Sequence, residues 1–175
     1  MKWVFVGIIS LFLIVFQTVL LPGLSSSFYC FDLTIILIVY ISLHFSHYLV
    51  IAVIAGMGGI MDSLSGAPFF LYTFSYLWIF LIVRLARQLV FQTSVPFIVV
   101  VSLLSVTIQQ GIFLFSLFAR QEYTGTWPLN VSLMLQQIAW GAVMIPLGVG
   151  LISAGYRRWQ DLIQRIARIR ETRRN

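Results

Sequence analysis

Cysteine is almost missing from this chain: Cys30 stands alone among 175 residues. An intrachain disulfide is therefore impossible and a cysteine-rich metal site is excluded, which leaves Cys30 as a packing residue. Histidine is nearly as scarce. His44 and His47 sit three residues apart, but two imidazoles make no complete metal site, and they read as part of an interfacial turn. Charge is the third shortage. Charged residues make up 9% of the chain, against about 25% in a soluble domain. With so few acids there is no Ser/His/Asp or HExxH pattern, and the histidines fall on the opposite membrane face from Asp62. The chain thus lacks a catalytic constellation, and the expectation is a protein that is not an enzyme and takes no cofactor.

Apolar residues fill the space these absences leave. They are 60% of the sequence and the mean hydropathy is +0.98, the composition of an integral membrane protein folded as one compact bundle. Lys2 followed by an apolar run resembles a secretory signal. The run continues for about 20 residues to Pro22, however, long enough to cross the roughly 30 Å hydrocarbon core, so it reads as an uncleaved first span. Pro22 to Ser27 is a turn. Five further spans are predicted, at 31–43, 48–62, 69–83, 97–119 and 129–154. Asp32 opens the second as a cap or first-turn acid. Within the third, Ala52 with Gly56 and Ala55 with Gly59 form small-xxx-small pairs that let helix backbones approach. Pro68 suits the first turn of the fourth, and Tyr72, Tyr76 and Trp78 place aromatics in its outer half. Gln17, Gln109, Gln110, Gln136 and Gln137 lie inside spans, where interhelical hydrogen bonding is a simpler account than a transport pathway. Pro146, Gly148 and Gly150 suggest a kink or close packing in the last span.

The remainder, residues 156–175, is different in kind. Seven arginines stand against Asp161 and Glu171, while Trp159, Leu162, Ile163, Ile166 and Ile169 recur at three- and four-residue steps. That pattern is a basic amphipathic helix, with Arg157, Arg158 and Arg165 among its cations. An anionic leaflet is its first expected partner and a cytoplasmic protein its second; nucleic acid is not expected. The predicted architecture is therefore an all-α bundle of six transmembrane helices over residues 1–155 with a cytoplasmic amphipathic tail over 156–175. Six spans place Lys2, Arg84, Arg87 and the seven tail arginines on one side, leaving only Arg120 opposite. The positive-inside rule then sets both termini in the cytoplasm.

The chain is organised around the stretch from Gly56 to Tyr72, where Asp62 follows a glycine-rich apolar run and precedes a Ser/Gly/Pro turn. An ionisable group at membrane depth must pair or reach a polar crevice. Asp62 has two readings, a cap on the turn or the fourth helix, and a recognition site for a partner or ligand.

Short motifs add a resemblance. Gln17 through Leu21-Pro22, Asp32 before Leu33-Thr34-Ile35-Ile36-Leu37, Gly58-Gly59 before Asp62, Tyr72 with Tyr76, and Arg84 resemble the pattern of the bacterial rod-shape protein MreD family. Phe31 stands where that family often has Pro, and Phe69-Phe70 where a Gly is common. The resemblance implies a non-enzymatic, multi-pass component of the inner-membrane cell-elongation machinery. Its implied partners are an MreC-like protein and, through it, MreB, RodA and a class B penicillin-binding protein, together with membrane lipids. The candidate partner-binding or structural residues are Asp62, Asp32, Gly58, Gly59, Pro68, Tyr72 and Arg84. The family fold is similar to the substrate-binding subunits of energy-coupling-factor vitamin transporters, which supplies the alternative reading, a vitamin-binding membrane subunit.

Overall fold

The computed structural model describes residues 2–20, 32–65, 70–89, 95–119 and 127–172. Among them every regular element is a helix. Helix α1 (Lys2–Val15) runs into a π-helical turn, Phe16–Leu20; α2 is Thr34–His44, α3 His47–Ser65, α4 Leu71–Leu89, α5 Val95–Ala119 and α6 Trp127–Thr172. Cys30, the 22–31 turn, Pro68, Arg120 and Glu122 lie outside the described residues.

The shortest helix is the axis of the fold. Every residue of α2 from Thr34 to Leu43 is buried, and each of the other five helices packs against it. The Ile-Ile-Leu-Ile-Val run permits this, because it offers apolar side chains on every face of the helix. Helix α6 reaches α2 at Gly148, where an added Cβ would lie 2.5 Å from Ile36 Cγ2; beside Gly150 the same atom would meet nothing. The glycine pair thus serves packing at one position only. Helix α6 continues through Pro146.

Three corrections to the sequence reading concern where elements end. Helix α3 extends to Ser65, three residues past the predicted end of the span at Asp62, so Asp62 lies in its last turn. Helix α4 extends to Leu89, past the predicted end of the span at 83, and contains Arg84 and Arg87. Between the predicted last span and the tail there is no break, since one helix crosses residues 155 and 156. For α4 the reason is that Arg84-Leu85-Ala86-Arg87-Gln88-Leu89 is made of good helix formers, and polarity alone does not stop a helix.

Apolar side chains also cover the outside. Leu11, Phe12, Leu77, Phe115, Leu147 and Leu151 are exposed, a surface matched to lipid rather than to water. Helices within His47–Ser65, Pro96–Ser116 and Leu135–Arg165 are long and apolar enough to cross a membrane, while Trp3–Val19 and Thr34–His44 are shorter apolar helices. Polar atoms inside are satisfied locally where they can be. The hydroxyls of Ser10, Ser42, Ser75, Ser102 and Ser105 each donate to the carbonyl four residues earlier at 2.6–2.8 Å, so these serines add little polarity to the helix surfaces.

Candidate functional site

Two buried carboxylates and two arginines tie the helix ends together, and each is explained by the backbone groups it meets. A helix leaves its first amide hydrogens and last carbonyls unpaired. In an apolar surrounding those groups need partners from elsewhere in the chain.

Asp62 supplies them to α4. Its Oδ1 accepts the Tyr72 N–H at 2.7 Å, and its Oδ2 accepts the Thr73 N–H at 3.2 Å and the Thr73 hydroxyl at 2.7 Å. The side chain is 5% exposed. This is an N-cap delivered from another helix, with the negative charge at the positive end of the α4 dipole. Of the two readings, the geometry is that of the cap. Gly58, one turn before Asp62, allows it: a Cβ there would lie 2.5 Å from Thr73 Oγ1 and 2.7 Å from Thr73 Cα. The close approach of α3 to α4 is therefore made by Gly58. The predicted pairs do not make it, because Ala52, Ala55 and Gly56 are exposed and a Cβ on Gly56 or Gly59 would meet nothing. Residue spacing identified small residues but not the face that α4 occupies. Phe70, just ahead of α4, has φ 69°, the left-handed region that glycine adopts without strain. A glycine before this helix would suit the same backbone.

Asp32 does for three helices what Asp62 does for one. Its Oδ1 accepts the Thr34 N–H at 2.9 Å, capping α2. Its Oδ2 accepts the Tyr76 hydroxyl from α4 at 2.6 Å and the Gln109 amide from α5 at 2.9 Å. Thr34 in turn donates its hydroxyl to Gln17 Oε1 at 3.2 Å, which brings in the π-helical turn after α1. The predicted cap role of Asp32 is present, and Gln109 makes an interhelical bond. That Tyr76 and Gln109 meet at Asp32 was not foreseen; the available signal was a glutamine in mid-helix and an acid facing an apolar run.

At its other end α2 is closed by cations. Arg87 donates to the Leu43 carbonyl, while Arg84 makes long contacts to the carbonyls of Ser42 (3.5 Å) and Phe45 (3.4 Å) and a 2.9 Å bond to His47 Nδ1. Positive charge thus meets the negative end of the α2 dipole. His44 instead contacts the Tyr40 carbonyl through Nδ1 at 3.0 Å and stacks on the Tyr40 ring. Among the described residues no three metal-ligating side chains converge.

The arginine end is also where α1 begins and α6 leaves the bundle. Phe5 packs against Tyr156 and Trp159, with ring centroids 5.0 and 6.0 Å apart, and Phe45 packs against Tyr156 at 5.6 Å. The first turns of α1, Arg84, Arg87 and residues 156–159 therefore share one end, opposite Asp32. Further along, Arg157, Arg158, Arg165 and Leu162 are exposed; Ile166 belongs to the helix, and its side chain lies outside the described residues. Gln136 is exposed, and the buried Oε1 of Gln137 has no partner among the described residues. No family model, curated protein or solved structure matches this chain.

Proposed function

We propose that this chain is a non-enzymatic, multi-pass scaffold of the bacterial cell-elongation machinery, crossing the inner membrane six times with both termini in the cytoplasm and acting beside an MreC-like protein. The observation that carries the reading is convergence. Gln17, Asp32 and Tyr76, which lie far apart in the sequence but belong to the pattern shared with the MreD family, join one hydrogen-bonded chain. Asp62 accepts the Tyr72 N–H at a second, where Gly58 lies against Thr73. A motif whose members hold helices together is what a scaffold requires, and each of these polar groups is already used by the fold. The orientation is supported by the shared end of α1, Arg84, Arg87 and the start of the tail, which gathers the cations as the positive-inside rule requires.

Depletion of the protein in its own host should round the cells, and re-expression should restore rods while an MreC-like protein co-purifies. Normal rods after depletion would remove the reading. A stoichiometric small molecule in the gently purified protein, seen by mass spectrometry with cell shape unaffected, would favour the vitamin-binding alternative.

A further inference from the structure

Past the start of α1, α6 carries on as a helix to Thr172. It is helical from Trp127 to Thr172, 46 residues, or about 69 Å at 1.5 Å per residue, more than twice the roughly 30 Å of a hydrocarbon core. Phe5 of α1 packs on this extension at Tyr156 and Trp159. Leu162, one turn on, is 55% exposed.

The apolar positions Trp159, Leu162, Ile166 and Ile169 advance in steps of three, four and three. That is the a/d spacing of a two-helix seam. In this register Arg158 and Arg165 occupy g positions and Arg170 an e position, whereas Asp161 and Glu171 fall at c and f, away from the seam. The stripe begins as an intramolecular contact at Trp159 and reaches the exposed Leu162, flanked by the exposed Arg158 and Arg165.

Three occupants are conceivable, and the charges and the helix continuity separate them. A parallel second copy would set Arg165 of one chain against Arg170 of the other, a repulsive g–e pair. An anionic leaflet would neutralise the arginines, but an interfacial helix lies in the bilayer plane, and this one prolongs α6 without a break. An amphipathic helix with carboxylates beside its own apolar seam satisfies both the stripe and its flanks.

We propose that residues 159–172 are a docking helix for an acidic amphipathic helix of a protein partner, packed on Trp159, Leu162, Ile166 and Ile169 and paired with Arg158, Arg165 and Arg170. The inference does not depend on the role in cell elongation. Two heptads make a short seam, so the contact is weak alone and becomes effective when the partner is held at the same membrane.

The test uses the full chain in neutral-lipid nanodiscs and two synthetic helices of about three heptads, with Leu at a and d and either Glu or Lys at e and g. Fluorescence anisotropy should show the Glu helix bound and the Lys helix unbound. Leu162→Ser should weaken binding by about tenfold or more. Arg158→Glu with Arg165→Glu should reverse the preference toward the Lys helix. These side chains are exposed, so an unchanged melting profile identifies a folded variant. Failure to bind the Glu helix, or equal binding of both helices unmoved by the charge swap, would overturn the proposal. So would a label at residue 165 that becomes shielded by lipid in anionic nanodiscs, or disulfide-linked dimers of a Leu162→Cys, Cys30→Ser chain.

Discussion

Asp32 and Asp62 are both buried carboxylates with three donors, yet they differ in what those donors can do. At Asp62 two of the three are backbone N–H groups on α4, which cannot rotate away. Replacing the carboxylate with an amide sets an NH2 against one of them in either orientation, so Asp62→Asn should cost about 1–3 kcal/mol, the penalty of an unpaired buried donor. At Asp32 the Oδ2 partners are the Tyr76 hydroxyl and the Gln109 amide, and both can turn to accept. Asp32→Asn should therefore cost less than about 1 kcal/mol, whereas Asp32→Leu, which strands all three donors, should cost more than Asp62→Asn. Thermal unfolding in one detergent would rank the variants; an Asp32→Asn protein less stable than Asp62→Asn would contradict the geometry. The glycines give a second contrast. Gly58→Ala drives a methyl into the Thr73 backbone and should destabilise by about 1–3 kcal/mol. Gly59→Ala meets open space and should be neutral or slightly stabilising, through the better helix propensity of alanine. Equal melting temperatures for the two would show that the α3–α4 contact is looser than described.

At the scale of the element, α2 poses the main physical problem. Its 11 residues span about 16 Å, roughly half a hydrocarbon core, so it cannot reach both membrane surfaces and its end groups need partners within the chain. Asp32 answers at one end and Arg84 with Arg87 at the other, and α4 carries the partners of both. Helices α2 and α4 thus run parallel, with Tyr76 beside Asp32 and Arg87 beside Leu43. Arg87→Gln shortens the side chain and removes the cation from the end of the α2 dipole. Amide hydrogens from Ile41 to Phe45 should then exchange about tenfold faster or more, while those near Thr34 keep their protection. Hydrogen exchange read by mass spectrometry distinguishes this local opening from global loosening, in which both ends would speed up together. The Phe45 N–H bond to the Ile41 carbonyl, 2.9 Å long, is the natural reporter.

For the whole molecule, the gathering of α1, Arg84, Arg87 and the start of the tail at one end makes topology testable. Cysteine labelling in whole cells should reach residues 23–31 and 120–127 from outside, with His47, Gln92 and the tail labelled only after the membrane is opened. A label at Arg120 confined to the cytoplasm would break the six-span arrangement.

Composition and periodicity were enough to determine an apolar chain whose described elements are all helices, an acid at the start of the second span in Asp32, and a basic helical end, while they left Asp62 between a cap and a recognition site. These are local properties, set by runs of apolar residues, by the cost of isolated charge and by helical spacing, and they are legible without knowing which helix lies beside which. Only the tertiary structure decided that the eleven-residue α2 is the axis, that Gly58 rather than Gly56 or Gly59 admits α4, that Tyr76 and Gln109 meet on Asp32, and that Arg84 and Arg87 close α2. Each of those depends on which face of a helix is covered, and in a chain apolar on nearly every face the sequence pattern does not mark that face. Burial here is chosen by shape and by the few hydrogen bonds that must be made, and both exist only once the helices are together.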